Sequence, residues 1–499
     1  MKKLTTALSS IDGFRVAFRS AKEAPLSRSE RRQSKIDAES EANSNPCRRR
    51  SRKTSGGGKY SNSRSLAASA TCFAWLLLTA AAIEASDQIP GAPQAQPIAL
   101  VGGTIHPISG PAVKNGTLLF DKGRIVAIGD NIKLPDDTKR IKIRGKHVYP
   151  GLIEAYSQMG LTEISAVRAT RDESESGRLN PNVRANVAVN PDSEIIPVTR
   201  SNGVLIALTA PSGGLVSGTA SVIQLDGWTW EDMTLRANAG LIVNWPGPPN
   251  VLKSPDSEKS DSNDGNKSLE QLHELFDEAR AYAKARADSK AQKFDIRLDA
   301  LQSVLNRKTP LIARANGLDT IQSAVAFAAE EKVRLIIQGG YDAPLCADLL
   351  KKHNVPVVVS AVYRLPRRRH DEFDAAYTLP ERLRVAGIQF CISGASSSRT
   401  WNARNLPYHA ATAVAYGLPH DEAIKAITIH AAEILGVAKR IGTLERGKDA
   451  TLIITTGDPL ETTSRVVLAF IQGRKVDLSN RHKQLYNKYR EKYRRQAAD

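Results

Sequence analysis

The chain has 499 residues, 41% of them hydrophobic and 24% charged, which is enough apolar content for a large globular body and excludes disorder of the chain as a whole. Its formal net charge of +18 raises nucleic-acid binding, but residues 1–64 carry 16 Lys/Arg against 6 Asp/Glu and residues 479–499 carry 7 against 2, leaving +3 for everything between. Nucleic-acid binding needs a basic domain face, and a nearly neutral body does not supply one.

Residues 1–64 are polar and rich in Ser and Arg, with Arg48-Arg49-Arg50-Ser51-Arg52-Lys53 followed by Gly56-Gly57-Gly58. They read as a disordered basic extension that cannot bury enough apolar surface to fold. The run from Leu66 to Ile83 is apolar and ends in the small residues Ala85 and Ser86. Segment 65–86 therefore reads as an export signal cleaved after Ala85, or as a single membrane anchor if it stays. The expected location is periplasmic or extracellular, with membrane contact through this segment if it is uncleaved. Cys47 and Cys72 would leave with the signal. Cys346 and Cys391 remain, at a spacing that suits no zinc motif, and read as two buried thiols or a disulfide.

From Ile98 to Tyr149 short apolar strands alternate with turn signals such as Gly102-Gly103 and Asp121-Lys122-Gly123, the pattern of a small antiparallel sheet. Tyr149-Pro150-Gly151-Leu152-Ile153-Glu154-Ala155-Tyr156-Ser157-Gln158-Met159-Gly160 then reads as a short buried strand with polar side chains at its carboxyl end. Seven further strand candidates follow: 204–208, 222–225, 241–245, 311–313, 335–337, 356–359 and 389–392. With helical stretches such as Asp319 to Ala329 between the later ones, eight strands predict a (β/α)8 barrel over 150–440. The interval from Ala210 to Gly240 is too tight for parallel crossovers, so the barrel is expected to be distorted there. Residues 253–268 read as a polar insertion and residues 269–283 as a helix with one apolar face. Residues 441–478 return to short strands, and the basic tail 479–499 alternates Lys or Arg with Tyr486, Tyr489 and Tyr493.

Pro150-Gly151-Leu152-Ile153, together with Gly442-Thr443-Leu444-Glu445-Arg446-Gly447-Lys448-Asp449-Ala450 leading into Thr451-Leu452-Ile453-Ile454, resembles the amidohydrolase superfamily, most closely its imidazolonepropionase-like branch. The resemblance covers about residues 98–478. It implies an α/β fold in which a TIM-like barrel is joined by a composite β-sandwich built from both ends of the folded region, here 98–149 and 441–478. It also implies hydrolysis of C–N bonds other than peptide bonds by water activated on zinc or another divalent metal.

The ligand positions of that family hold other residues here. Tyr156 and Gln158 stand where the first strand has two histidines, and no lysine occurs between Lys146 and Lys253 to bridge two metals. Arg314, Gly339 and Ala395 or a neighbouring Ser stand where the family has His, His and Asp. None of these is a good catalytic zinc ligand, and a guanidinium repels a cation. No metal or other cofactor is expected. The polar groups of the mouth, Tyr156, Gln158, Arg314, Gln338, Ser393, Ser396, Arg404 and Asn405, suit an anionic or carbonyl-bearing small molecule. The resulting expectation is an exported, metal-free ligand-binding or partner subunit, forming a homo-oligomer or a complex with an intact amidohydrolase. The alternative is a hydrolase of cyclic-amide or related C–N bonds that uses Asp226, Glu231 or His409. The run Asp226-Gly227-Trp228-Thr229-Trp230-Glu231-Asp232 also fits a packed Trp pair at the start of a helix.

Overall fold

A computed structural model describes residues 89–247, 264–288, 293–395 and 400–497. The extension 1–64, the apolar segment 65–86, residues 253–263 of the polar insertion and Ser396 lie outside the described residues. All the described residues lie in the unit Ile83–Asp499. Residues 264–268, read from sequence as part of the insertion, instead open the helix Asp264–Ala287.

One eight-stranded sheet takes strands from both ends of this unit. Its members are β1 (Ile98–Ile105), β2 (Val113–Asp121), β3 (Arg124–Gly129), β4 (Lys139–Lys142) and β5 (His147–Pro150). From the far end come β14 (Leu452–Thr455), β15 (Val466–Ile471) and β16 (Arg474–Lys475). β5 pairs antiparallel with β14, Tyr149 opposite Ile453, which ties the two ends into one layer. The Gly102-Gly103 break does specific work. β1 pairs with β4 through Ile98 to Val101 and with β5 through Thr104 and Ile105, and Gly102 takes φ +82°, which only glycine adopts without strain. One strand thus serves two directions of a curled sheet. Leu100, Leu118, Phe120, Leu452, Ile454 and Phe470 form its own small core.

The second eight-stranded sheet is the barrel: β6 (Leu152–Ser157), β7 (Val204–Thr209), β8 (Val216–Gln224), β9 (Thr234–Val243), β10 (Leu311–Ala315), β11 (Leu335–Gly339), β12 (Val357–Ser360) and β13 (Phe390–Ser393), bonded in that order. β6 and β8 are buried at every residue, as strands covered on both faces must be. The tight interval resolves into two antiparallel pairings, β7 with β8 and β8 with β9. Hairpin-type connections need only a few residues where a parallel crossover needs a dozen. The expected strand at 222–225 is therefore the second half of a longer strand running against the other seven. Its carboxyl end lies at the rim opposite the mouth, because Gln224 pairs with Ile206 near the start of β7.

Cys346 and Cys391 are both buried free thiols, so no disulfide joins them. The tail forms the helix Arg481–Gln496 with no buried residue. Asn480 caps it, accepting from Lys483 N at 3.0 Å and donating to Ser201 Oγ at 2.8 Å. Among the described residues no helix is long and apolar enough to cross a membrane.

Candidate ligand-binding site at the barrel mouth

Seven strands point their carboxyl ends at one rim, where barrel enzymes carry their chemistry. β6 delivers Tyr156, Ser157 and Gln158 to it, and Tyr156 is 1% exposed and Gln158 4%. Burial pushes the Tyr156 phenol up, against the opposing pull of the Arg314 charge, so it stays neutral. Arg314, near the end of β10, donates from Nη1 to Asn244 Oδ1 at 2.7 Å, just past β9. Gln338 of β11 donates to Ser360 Oγ of β12. Gly339 takes φ +110°, and a Cβ there would lie 2.7 Å from Asn316 Oδ1 and 2.8 Å from Ala315 O. The backbone at this position is shaped for the absence of a side chain.

The group that sequence reasoning missed is Glu154. Its carboxylate is wholly buried and accepts from Ser393 Oγ, Gly394 N at 2.9 Å, Ala395 N at 3.2 Å and Tyr156 N at 3.2 Å. β6 and β13 are the two ends of the bonded order, and this side chain links them across the closing seam. Burial raises its pKa to about 7 despite those four donors. The signal was available as a carboxylate at the third position of an otherwise apolar strand.

The remaining candidates separate. Helix Leu406–Ala415 begins against the end of β13, since a Cβ on Gly394 would meet the Leu406 backbone at 3.0 Å, and Asn405 is its N-cap residue. His409 on that helix is buried, accepts at Nδ1 from Tyr363 N at 3.2 Å and packs on the Tyr363 ring at 4.3 Å. That bond leaves the ring proton on Nε2, and burial lowers its pKa to about 4. Arg404 turns away to the tail helix, with Nη1 3.1 Å from His482 Nδ1.

Asp226 follows the reversed β8 and so lies at the far rim. It forms a buried pair with Arg200 at 2.9 Å, lies 3.5 Å from Arg474 of β16, and accepts from Gly91 N at 3.1 Å. It stitches the barrel base to the composite sheet. Glu231 is exposed on the short helix Trp230–Met233, whose cap Thr229 accepts from Asp232 N. Neither carboxylate is brought to the mouth, and the antiparallel course of β8 is the reason.

A barrel whose terminal strands close through side chains, joined to a sheet assembled from both ends of the chain, is the architecture of amidohydrolase-like proteins. The Amidohydrolase family model matches residues 313–477. The amidohydrolase of Thermotoga maritima MSB8 superposes with a TM-score of 0.68 at 26% identity, over 76% of this chain and 99% of that one. Amidohydrolase tasK of Hapsidospora irregularis is 20% identical over 388 residues, 72% of this chain and 39% of its own length, so the chain spans about two fifths of that curated relative. A molinate hydrolase aligns at 16% identity and a TM-score of 0.49, over 78% of this chain and 96% of that one. This chain has an amidohydrolase-like fold, and its residues 313–477 match that family's model.

Proposed function

We propose that this protein is an exported, ligand-binding member of the superfamily that works without a resident metal, as a homo-oligomer or as the partner of an intact amidohydrolase. The observation that carries the reading is Arg314, a guanidinium held by Asn244 at 2.7 Å at the carboxyl end of β10, where the family resemblance calls for a histidine ligand. The other donors at the matching positions fit a divalent cation no better. They are a neutral buried phenol, an amide, a glycine whose backbone leaves no room for a side chain, and Ala395. Among the described residues no group of three or more His, Cys, Asp or Glu is placed to hold a metal ion.

What these groups do is bind. Arg314 offers forked donors held in place by Asn244, and the neutral Tyr156 hydroxyl and the Gln158 amide suit a carbonyl or carboxylate oxygen. Metal analysis of the purified full chain tests the reading. The expected zinc, iron and manganese content is far below one atom per chain. About one tightly bound divalent metal per chain overturns it.

A further inference from the structure

The loop after β12 carries Tyr363-Arg364-Leu365-Pro366-Arg367-Arg368-Arg369-His370. It lies on the same rim as Arg314, and its start is tied down. Ala361 N donates to Ser393 O at 2.9 Å, Tyr363 N to His409 Nδ1 at 3.2 Å, and Tyr363 Oη to Tyr408 O at 2.8 Å. Tyr341, just past the end of β11, faces it. The guanidinium carbons of Arg364, Arg367 and Arg368 lie 4.7, 5.8 and 5.8 Å from the Tyr341 ring centre.

Two carboxylates stand nearby, and both are committed. Asp342 is paired with Arg368 and accepts from Leu318 N at 3.2 Å. Asp371 accepts from Arg368 Nε at 3.0 Å and from the Tyr341 hydroxyl at 3.0 Å. Arg364 has no carboxylate partner among the described residues. Its Nε and Nη2 are buried without an acceptor. The contrast within one loop is informative: the Asp342 carboxylate raises the pKa of Arg368, whereas burial, with Arg367 adding to it, lowers that of Arg364 to about 10. A half-buried cation compensated by an aromatic face and only the more distant charge of Asp342 costs free energy that a bound oxyanion returns.

We propose that Arg364, seated on the Tyr341 ring and flanked by Arg367, is an oxyanion-recognition site of the barrel mouth that takes a carboxylate or phosphate group of the ligand. This deepens the binding role proposed above and rests on that reading only in taking the mouth as the binding face. A guanidinium donates charge-assisted hydrogen bonds to carboxylate and phosphate oxygens alike.

The test is a thermal-shift titration of the full chain with sodium phosphate and, separately, sodium succinate, at ionic strength held constant with sodium chloride. A saturable rise in melting temperature is expected with at least one probe. Phosphate alone points to a phosphate ester as ligand, and succinate alone to a carboxylate. Arg364→Met, which keeps the stack on Tyr341 and removes the charge, weakens the midpoint by about tenfold or more. Arg367→Gln changes an exposed side chain and weakens it to a smaller degree without putting folding at stake. No saturable rise with either probe overturns the proposal. So does a midpoint unchanged in Arg364→Met or, should that variant not fold, in Arg367→Gln. Zinc found alongside intact anion binding overturns only the metal-free reading, and lost anion binding in a metal-free protein overturns only this one.

Discussion

Replacing Glu154 by Gln isolates one buried charge. The carboxyl sits near pKa 7 instead of its ordinary 4.5 because burial outweighs its four donors. The folded protein therefore holds a proton that the unfolded chain has released between those two values. Stability contributed by the protonated group is complete below about pH 4.5 and is lost as pH rises through about 7. At pH 8 the ionised carboxylate costs the fold about 3 kcal/mol relative to pH 4.5, at about 1.4 kcal/mol per pKa unit. Gln keeps the shape and cannot ionise. Its Oε1 can accept from Gly394 and Ala395 and its Nε2 can donate to Ser393 Oγ, although Tyr156 N–H loses its acceptor at a cost of about 1–3 kcal/mol. Urea unfolding at pH 5, 6, 7 and 8 is the assay. The variant should be the less stable at pH 5 and gain on the wild type by about 3 kcal/mol by pH 8. Parallel pH profiles for the two proteins would falsify the assignment. Glu154→Ala, which strips acceptors from three backbone N–H groups, should be destabilised by several kcal/mol at every pH.

Asp226→Asn removes the carboxylate paired with buried Arg200 at 2.9 Å, leaving Asp477 as a second counter-charge, and should cost about 1–3 kcal/mol in denaturant unfolding while leaving binding at the mouth unchanged; no measurable loss would show the pair to be dispensable. Gly339→Ala forces a Cβ against Asn316 and Ala315 at φ +110° and should cost about 1–3 kcal/mol, read as a lowered melting temperature. An unchanged melt would mean that this backbone is not constrained. The imidazole of His409 should remain neutral on NMR titration from pH 8 to pH 5, since its pKa is lowered from 6.5 to about 4. The stability linked to it is present above pH 6.5 and lost as pH falls through about 4. A midpoint near 6.5 would place the ring in solvent.

The barrel and its companion sheet were legible in the chain because both depend on local pattern. Short buried strands, the Gly102-Gly103 break and the repeated Gly-bounded phrases near both ends carry the period and the turn chemistry that build those elements. The residues lining the first strand and Arg314 were legible for the same reason, since position along a parallel strand decides which side chains reach the rim. Even the trouble with the interval 210–240 was visible, as a connection too short for the expected topology.

What sequence spacing does not contain is strand direction and the identity of partners far along the chain. The reversal of β8 sends Asp226 and Glu231 to the far rim, where one makes a structural ion pair and the other faces solvent. Glu154 acquires its role only because β13, more than two hundred residues later, returns beside β6 and presents two backbone N–H groups and a hydroxyl. Arg364 is one member of a basic run in the sequence. Only the folded loop shows that Arg368 takes both nearby carboxylates and leaves Arg364 with an aromatic ring. The sequence by itself determined the elements, because those follow from local pattern. The tertiary structure alone decided which charges are paired, since pairing depends on contacts that the folded chain brings together across long separations.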